Sequence, residues 1–95
     1  MSGSFRIAPD VRYRVIDDEA VVVRQGEGDV LVFNQVAARV IQLVGEGLSS
    51  QQISDRVVDE FDAPDKRIRK DVEAFLEELE NLKVVEPLPP GEKKS

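Results

Sequence analysis

The sequence contains neither cysteine nor histidine. Without cysteine there is no disulfide bond to stabilise the fold and no thiolate to act as a nucleophile or metal ligand. Without histidine the chain lacks the commonest general base and the commonest metal ligand. Gly26 and Gly28 suit a turn and do not have the spacing of a phosphate-binding loop. These absences argue against an enzyme and predict a protein with no cofactor and no metal ion.

Long apolar runs and basic charge are also scarce. No apolar run approaches the roughly 20 residues that a membrane-spanning helix requires, and residues 1–10 lack the apolar core of a signal peptide. The formal net charge is −6, whereas affinity for nucleic acid depends on basic surface. We therefore expect a cytoplasmic protein that has no membrane and no nucleic-acid partner.

The chain of 95 residues is long enough for one small domain. Residues 1–9 are expected to be a short polar N-terminal lead-in, and the domain is expected over residues 10–86. Residues 87–95 form a charged tail with three prolines. Because proline continues neither a helix nor a central strand, this tail is predicted to be disordered.

Three strands followed by three helices are predicted within the domain. Apolar alternation and short polar turns indicate an antiparallel meander of strands over residues 11–16, 20–23 and 29–33. This pattern predicts an α+β fold that is winged-helix-like, a three-stranded antiparallel meander followed by three helices. The helices, each with an apolar stripe, are predicted over residues 35–44, 49–61 and 63–83.

Local signals mark where the helices begin. Asn34 is placed to cap the first helix with its side-chain oxygen. Ser49 and Gln52 have the spacing of a capping box at the start of the second helix. Pro64 stands in the first turn of the third helix, where a missing N–H costs nothing. Residues 84–86 are expected to add a short extended segment.

The third predicted strand, residues 29–33, is apolar on both faces. Val30 and Val32 point to one face and Leu31 and Phe33 to the other, because side chains alternate along a strand. One explanation is burial of both faces. The other follows from strand order: the third strand of a meander is an edge, and this edge lacks the lysine, proline or bulge that usually protects one. An unprotected edge beside an apolar helix is the geometry for strand addition by a peptide.

Positive charge is concentrated in the first turns of the third helix, at Lys66, Arg67, Arg69 and Lys70. Cations at a helix N-terminus oppose the helix dipole. One interpretation is a set of solvated side chains offset by neighbouring aspartates. The other is a surface for an acidic peptide segment.

Two further functions are compatible with this architecture. A winged-helix regulator would place its third helix on DNA, although the C-terminal half of this helix is acidic. A structural role is also open, in which the third strand pairs two copies of the chain. The protein is accordingly expected to be a monomer or a weak homodimer.

Residues 11–86 contain three stretches that form one pattern: "DDEAVVV", "DVLVFNQVAARVIQLVGEGLSSQQISDRVVDEF" and "DVEAFLEELENLKVVE". Its marks are Asn34 at the strand–helix junction, the glycine-containing turn at residues 45–47, and Phe75 with Leu76 in the third helix. This pattern resembles the PqqD-like family, whose members are also called RiPP recognition elements or peptide chaperones.

The resemblance implies a winged-helix-like domain without chemistry of its own that serves peptide modification or cofactor biosynthesis. Such a domain binds the leader segment of a ribosomally made precursor peptide as an added strand. It presents that leader to a modifying enzyme, often a radical SAM enzyme. Together with the basic cluster, the resemblance predicts these peptide-binding residues: Val30, Leu31, Val32, Phe33, Lys66, Arg69, Val72, Glu73 and Leu76.

Overall fold

The computed structural model describes residues 4–88. The α+β class is confirmed, and so is the order of the three-stranded meander before the three helices. Residues 89–95, most of the predicted disordered tail, lie outside the described residues. The elements are β1 (Phe5–Ile7), β2 (Val11–Ile16), β3 (Glu19–Arg24), β4 (Asp29–Phe33), α1 (Gln35–Gly45), α2 (Ser50–Glu60), α3 (Asp65–Asn81) and β5 (Val85–Pro87).

The main sheet is antiparallel with strand order β2-β3-β4. A two-residue turn joins β2 to β3, and Asp17 there adopts a left-handed φ of 56°. Aspartate tolerates this region better than most residues because its short side chain bonds locally. Gly28, with φ 72°, completes the turn before β4. The second and third predicted strands are thereby confirmed as neighbours, with β4 at the edge.

A second, two-stranded sheet pairs β1 with β5 in antiparallel register, with Ile7 opposite Val85. Arg6 and Glu86 form an ion pair across it at 2.7 Å. Nothing in the sequence pattern predicts β1, because three residues are too few to show alternation and its partner lies at the other end of the chain. The two strands include residues 5–7 and Pro87, which lie outside the expected domain range of residues 10–86.

The helix caps predicted from sequence are present. Asn34 Oδ1 accepts a hydrogen bond from the Ala37 N–H at 3.0 Å. At α2, Ser49 Oγ accepts from the Gln52 N–H at 3.2 Å and Gln52 Oε1 accepts from the Ser49 N–H at 2.9 Å. Because Asn34 follows β4 directly, its cap starts α1 at the end of the edge strand.

The helices cover the inner face of the main sheet and form one hydrophobic core. No helix among residues 4–88 is long and apolar enough to cross a membrane. The fully buried side chains at the centre of the core are Val22, Val40, Ile41, Leu43, Val44, Ile53, Val57, Val72, Leu79, Val84 and Val85.

Candidate functional site

The backbone of β4 has an unpaired edge, since within residues 4–88 only β3 pairs with it. The two-residue turn makes Ile16 and Glu19 a hydrogen-bonded pair between β2 and β3. Backbone groups point alternately to the two sides of a strand, so the residue of β3 after Glu19 bonds to β4, and so does every second residue beyond it. The second of these residues pairs with Leu31, so Leu31 belongs to the β3–β4 ladder. The N–H and C=O groups of Val30 and Val32 therefore point outward to the unpaired edge.

The two faces of β4 differ in burial. Val30 and Val32 are 59% and 61% exposed on the outer face of the sheet. Leu31 and Phe33 are half-buried and pack against the core. Burial on both faces, one of the two explanations for this apolar strand, is therefore wrong. The strand leaves both an apolar face and an unpaired backbone edge exposed.

A groove of about 670 Å³ lies beside the end of β4, between the first turn of α1 and the middle of α3. Its floor is aromatic, because the rings of Phe33 and Phe75 meet edge to face with centroids 5.5 Å apart and planes at 78°. Such pairs contribute about 0.5–1.5 kcal/mol beyond burial of their area. The groove is lined by Val32, Phe33, Asn34, Val36, Ala37, Asp71, Ala74, Phe75 and Glu78.

Arg24 holds the β3–β4 hairpin against the end of α3. Its guanidinium forms a bidentate ion pair with the Asp29 carboxylate, in which Nε donates to Oδ1 at 2.8 Å and Nη2 donates to Oδ2. Nη1 donates to the carbonyl oxygen of Leu82 at 2.5 Å. The hydrogen bond from Arg24 holds the pKa of Asp29 below its ordinary value. This contact fixes the start of β4 near the C-terminal end of α3.

The direction of α3 along the groove follows from two contacts. Its end is tied to the start of β4 through Arg24, and Phe75, further back in the helix, contacts Phe33 at the end of the strand. The helix therefore runs antiparallel to β4 and forms one wall beside it. A polypeptide added along the edge of β4 would lie between the strand and this wall.

Ion pairs on the far side of the groove fix α2 against its neighbours. Arg69 Nη1 of α3 lies 2.8 Å from Asp55 Oδ1 of α2. Arg39 of α1 donates two hydrogen bonds to Glu60 of α2, at 2.7 and 2.8 Å. The hydrogen bonds from Arg39 lower the pKa of Glu60. None of these four residues belongs to β4 or lines the groove, and the two pairs connect α2 to α1 and α3.

The structure brings together only some of the predicted site residues. The four residues of β4 lie at the edge as expected, but Val72 and Leu76 are 0% and 2% exposed and belong to the core. Arg69 is engaged with Asp55 of α2. Lys66 and Glu73 are exposed and are not among the groove-lining residues.

The residues of α3 that line the groove differ from the predicted ones for a simple physical reason. Residues 68, 72, 76 and 79 form the stripe that faces the core, and these were the apolar positions most visible in the sequence. The adjacent stripe faces the groove, with Asp71, Phe75 and Glu78 at i, i+4 and i+7. That spacing is readable from sequence, but choosing between the two stripes requires knowing where β4 lies. Asn34, Val36 and Ala37 join the site only because α1 starts at the end of β4.

The charge of the groove also differs from the basic surface that was expected to bind an acidic peptide segment. None of the four cations at the start of α3 lines it. The charged side chains that do line it are the carboxylates Asp71 and Glu78. Within residues 4–88, no group of three or more acidic side chains is placed to hold a metal ion.

Comparisons with known proteins identify the family and the fold of the chain. The family model described as Coenzyme PQQ synthesis protein D (PqqD) matches residues 19–85. The structure of TbiB1 in complex with the TbiA(beta) leader peptide is similar at 26% identity and a TM-score of 0.81, over 88% of this chain and 98% of that one. Lasso peptide synthetase B1 complexed with the leader peptide has the same fold at 21% identity and a TM-score of 0.77, over 90% and 99% of the two chains. No curated protein matches the chain.

Proposed function

Because the chain belongs to the PqqD family, we propose that it is a non-catalytic module that binds the leader segment of a ribosomally made precursor peptide. The observation that carries this proposal is the unpaired edge of β4 beside the groove at α3. It is supported by the similarity to TbiB1, whose solved structure is a complex with a leader peptide. The bound leader would be the strand that completes the sheet.

The edge offers a defined set of backbone contacts to the leader. Val30 and Val32 each present one N–H and one C=O, so an added strand makes up to four hydrogen bonds. Each contributes about 0.5–1.5 kcal/mol net. One or two apolar side chains buried over Phe33 and Phe75 add about 1.5–3 kcal/mol apiece. Ordering the leader cancels part of this gain, which gives micromolar to high-nanomolar affinity.

Alternation divides the side chains of the leader between two environments. Those on one face enter the groove over the aromatic floor. Those on the other face continue the outer surface of the sheet beside Val30 and Val32. The peptide-binding residues we propose are the four residues of β4 together with the groove-lining residues, and Lys66, Arg69 and Glu73 would be reached only by parts of the leader outside the groove.

The modifying chemistry is assigned to a partner enzyme. The chain has no histidine or cysteine, and Asp71 and Glu78 are the ionisable side chains that line the groove. A radical SAM enzyme is the class of partner we propose, by extension from the family. The role of this chain is to hold the leader in an extended conformation, which raises the local concentration of the precursor at that enzyme.

Two other functions receive less support from the site. DNA binding requires basic surface, whereas the charged residues of the groove are acidic. Pairing of two copies through β4 would use the same edge. The similar structure of TbiB1 is a complex with a leader peptide, which favours a leader as the added strand.

Fluorescence anisotropy with a labelled leader from the precursor encoded beside this gene tests the proposal. We expect saturable binding with a Kd between about 0.1 and 100 μM. Duplex DNA should show no binding that weakens steeply with salt, and sedimentation should show no dimer at the concentrations used. Absence of leader binding together with strong, salt-sensitive DNA binding would refute the proposal.

A further inference from the structure

The groove carries charge of one sign only. Its lining includes the carboxylates of Asp71 and Glu78 and no lysine or arginine. The two acidic residues stand on either side of Phe75 along α3, so the aromatic floor is flanked by negative charge at both ends. A ligand that fits the groove should therefore be apolar at its centre and positive on both sides.

Neighbouring cations leave the negative charge of the two groove carboxylates largely unpaired. Glu78 belongs to none of the ion pairs found among residues 4–88. Asp71 Oδ2 is 4.0 Å from Arg67 Nε, and the two side chains are 65% and 78% exposed. Pairs this long and this solvated contribute little. Both carboxylates are therefore available to pair with a cation of the ligand.

The spacing of the two carboxylates matches that of an extended peptide. With a rise of 1.5 Å per helical residue, Asp71 is about 6 Å and Glu78 about 4.5 Å from Phe75 along the helix axis. Two residues of a strand span about 6.6 Å, and side chains two residues apart point to the same face. A side chain seated on Phe75 therefore has its same-face neighbours close to Asp71 on one side and Glu78 on the other.

We infer that the groove selects a peptide segment of the pattern basic–x–apolar–x–basic, in which the apolar side chain contacts Phe75 and the flanking lysine or arginine side chains pair with Asp71 and Glu78. This inference depends on the proposed binding of a leader strand at β4. It replaces the acidic guest suggested by the cations at the start of α3 with a guest of opposite charge. Long basic side chains also tolerate the small difference between strand and helix spacing.

A panel of three labelled synthetic peptides tests the inference by anisotropy. Each is acetyl-Thr-Val-X-Val-Leu-Val-X-Val-Thr-amide, with X as lysine, glutamine or glutamate. The lysine peptide should bind at least about tenfold more tightly than the glutamate peptide, because two attractive contacts are replaced by two repulsive ones. The glutamine peptide should lie between them, and the difference should shrink as salt increases.

Charge reversal in the protein provides the matched comparison. The double variant Asp71→Lys with Glu78→Lys should prefer the glutamate peptide. The control variant Glu77→Lys with Glu80→Lys makes the same change in net charge on α3 at two exposed residues outside the groove lining. It should keep the preference of the original protein for lysine. Circular dichroism of both variants checks that they are folded.

The outcomes separate this inference from the proposed function. If the three peptides bind equally, or if both double variants shift the preference alike, the charge selection is refuted while peptide binding stands. If none of the three binds at 1 mM, the selection is also refuted. Binding of the native leader, measured separately, then decides whether the groove binds peptides of another pattern or none.

Discussion

Proline at position 32 should block leader binding while leaving the sheet intact. The Val32 N–H points away from β3, so Val32→Pro removes no bond of the β3–β4 ladder. Proline is tolerated on an edge strand for this reason. For the leader, the variant deletes one of four hydrogen bonds, a loss of about 0.5–1.5 kcal/mol. The ring also fills the space that an added strand would occupy about 4.8 Å away.

Together these effects predict a Kd raised at least tenfold, measured by anisotropy with the native leader. Val32→Thr is the matched control, because threonine keeps the β-branched shape and the outward N–H. It should bind within about threefold of the original protein. Urea denaturation of both variants would show whether the fold is retained. A folded Val32→Pro protein that binds the leader with unchanged affinity would refute strand addition at β4.

Three further predictions concern the floor of the groove, the Arg24 contact and the end of α3. Phe75→Ala should weaken leader binding by about tenfold through loss of aromatic contact. The control Phe61→Ala truncates a half-buried ring outside the groove lining, so it should lower stability and leave the Kd unchanged. Equal effects of the two variants on binding would contradict the assignment of the floor. Arg24 lowers the pKa of Asp29 from its ordinary 3.8, so the stability due to the pair is complete above that value and is lost as pH falls through the lowered pKa. Asp29→Asn should therefore flatten the pH dependence of the free energy of unfolding at the acid end of a urea-denaturation series from pH 7 to 2. An unchanged acid profile would show that the pair contributes nothing. Lys83 has a left-handed backbone φ of 64°, a conformation that costs a residue with a side chain about 1–2 kcal/mol. Lys83→Gly removes this cost and loses part of the gain to chain entropy, so it should raise the free energy of unfolding by about 0.5–1 kcal/mol. A destabilised variant would be the contrary result.

The main sheet and the helices are predictable from sequence because their signals are local. Residues 11–16 alternate apolar and polar, and the structure places β2 over the same residues. The caps at Asn34 and Ser49 mark helix starts within one residue. The pairing of β1 with β5 is not predictable in this way. It joins two three-residue strands from opposite ends of the chain, and only the folded core brings them together.

The edge position of β4 is predictable from sequence, and the groove-facing stripe of α3 is not. Strand order alone makes β4 an edge, and alternation gives its two faces. On α3 the apolar positions Val72 and Leu76 indicate the stripe that packs into the core. The groove stripe carries one aromatic residue, Phe75, between two carboxylates. In a sequence, those carboxylates are indistinguishable from solvated charge.

The position of α3 explains why a groove remains open beside β4. Arg24 ties the end of the helix to the start of the strand, and Arg69 ties its first half to α2. The aromatic contact of Phe75 with Phe33 spans the space between them. The wall and the edge are thus held apart by fixed contacts before any peptide binds, which lowers the entropy cost of binding.

Amide hydrogen exchange with and without the native leader tests strand addition most directly. In the free protein, the amides of Leu31 and Phe33 should be protected by the β3–β4 ladder, and those of Val30 and Val32 should exchange rapidly. At saturating leader, Val30 and Val32 should become protected and the alternation along β4 should disappear. If Val30 and Val32 still exchange rapidly when the leader is fully bound, the leader does not add to this strand and the central claim is wrong.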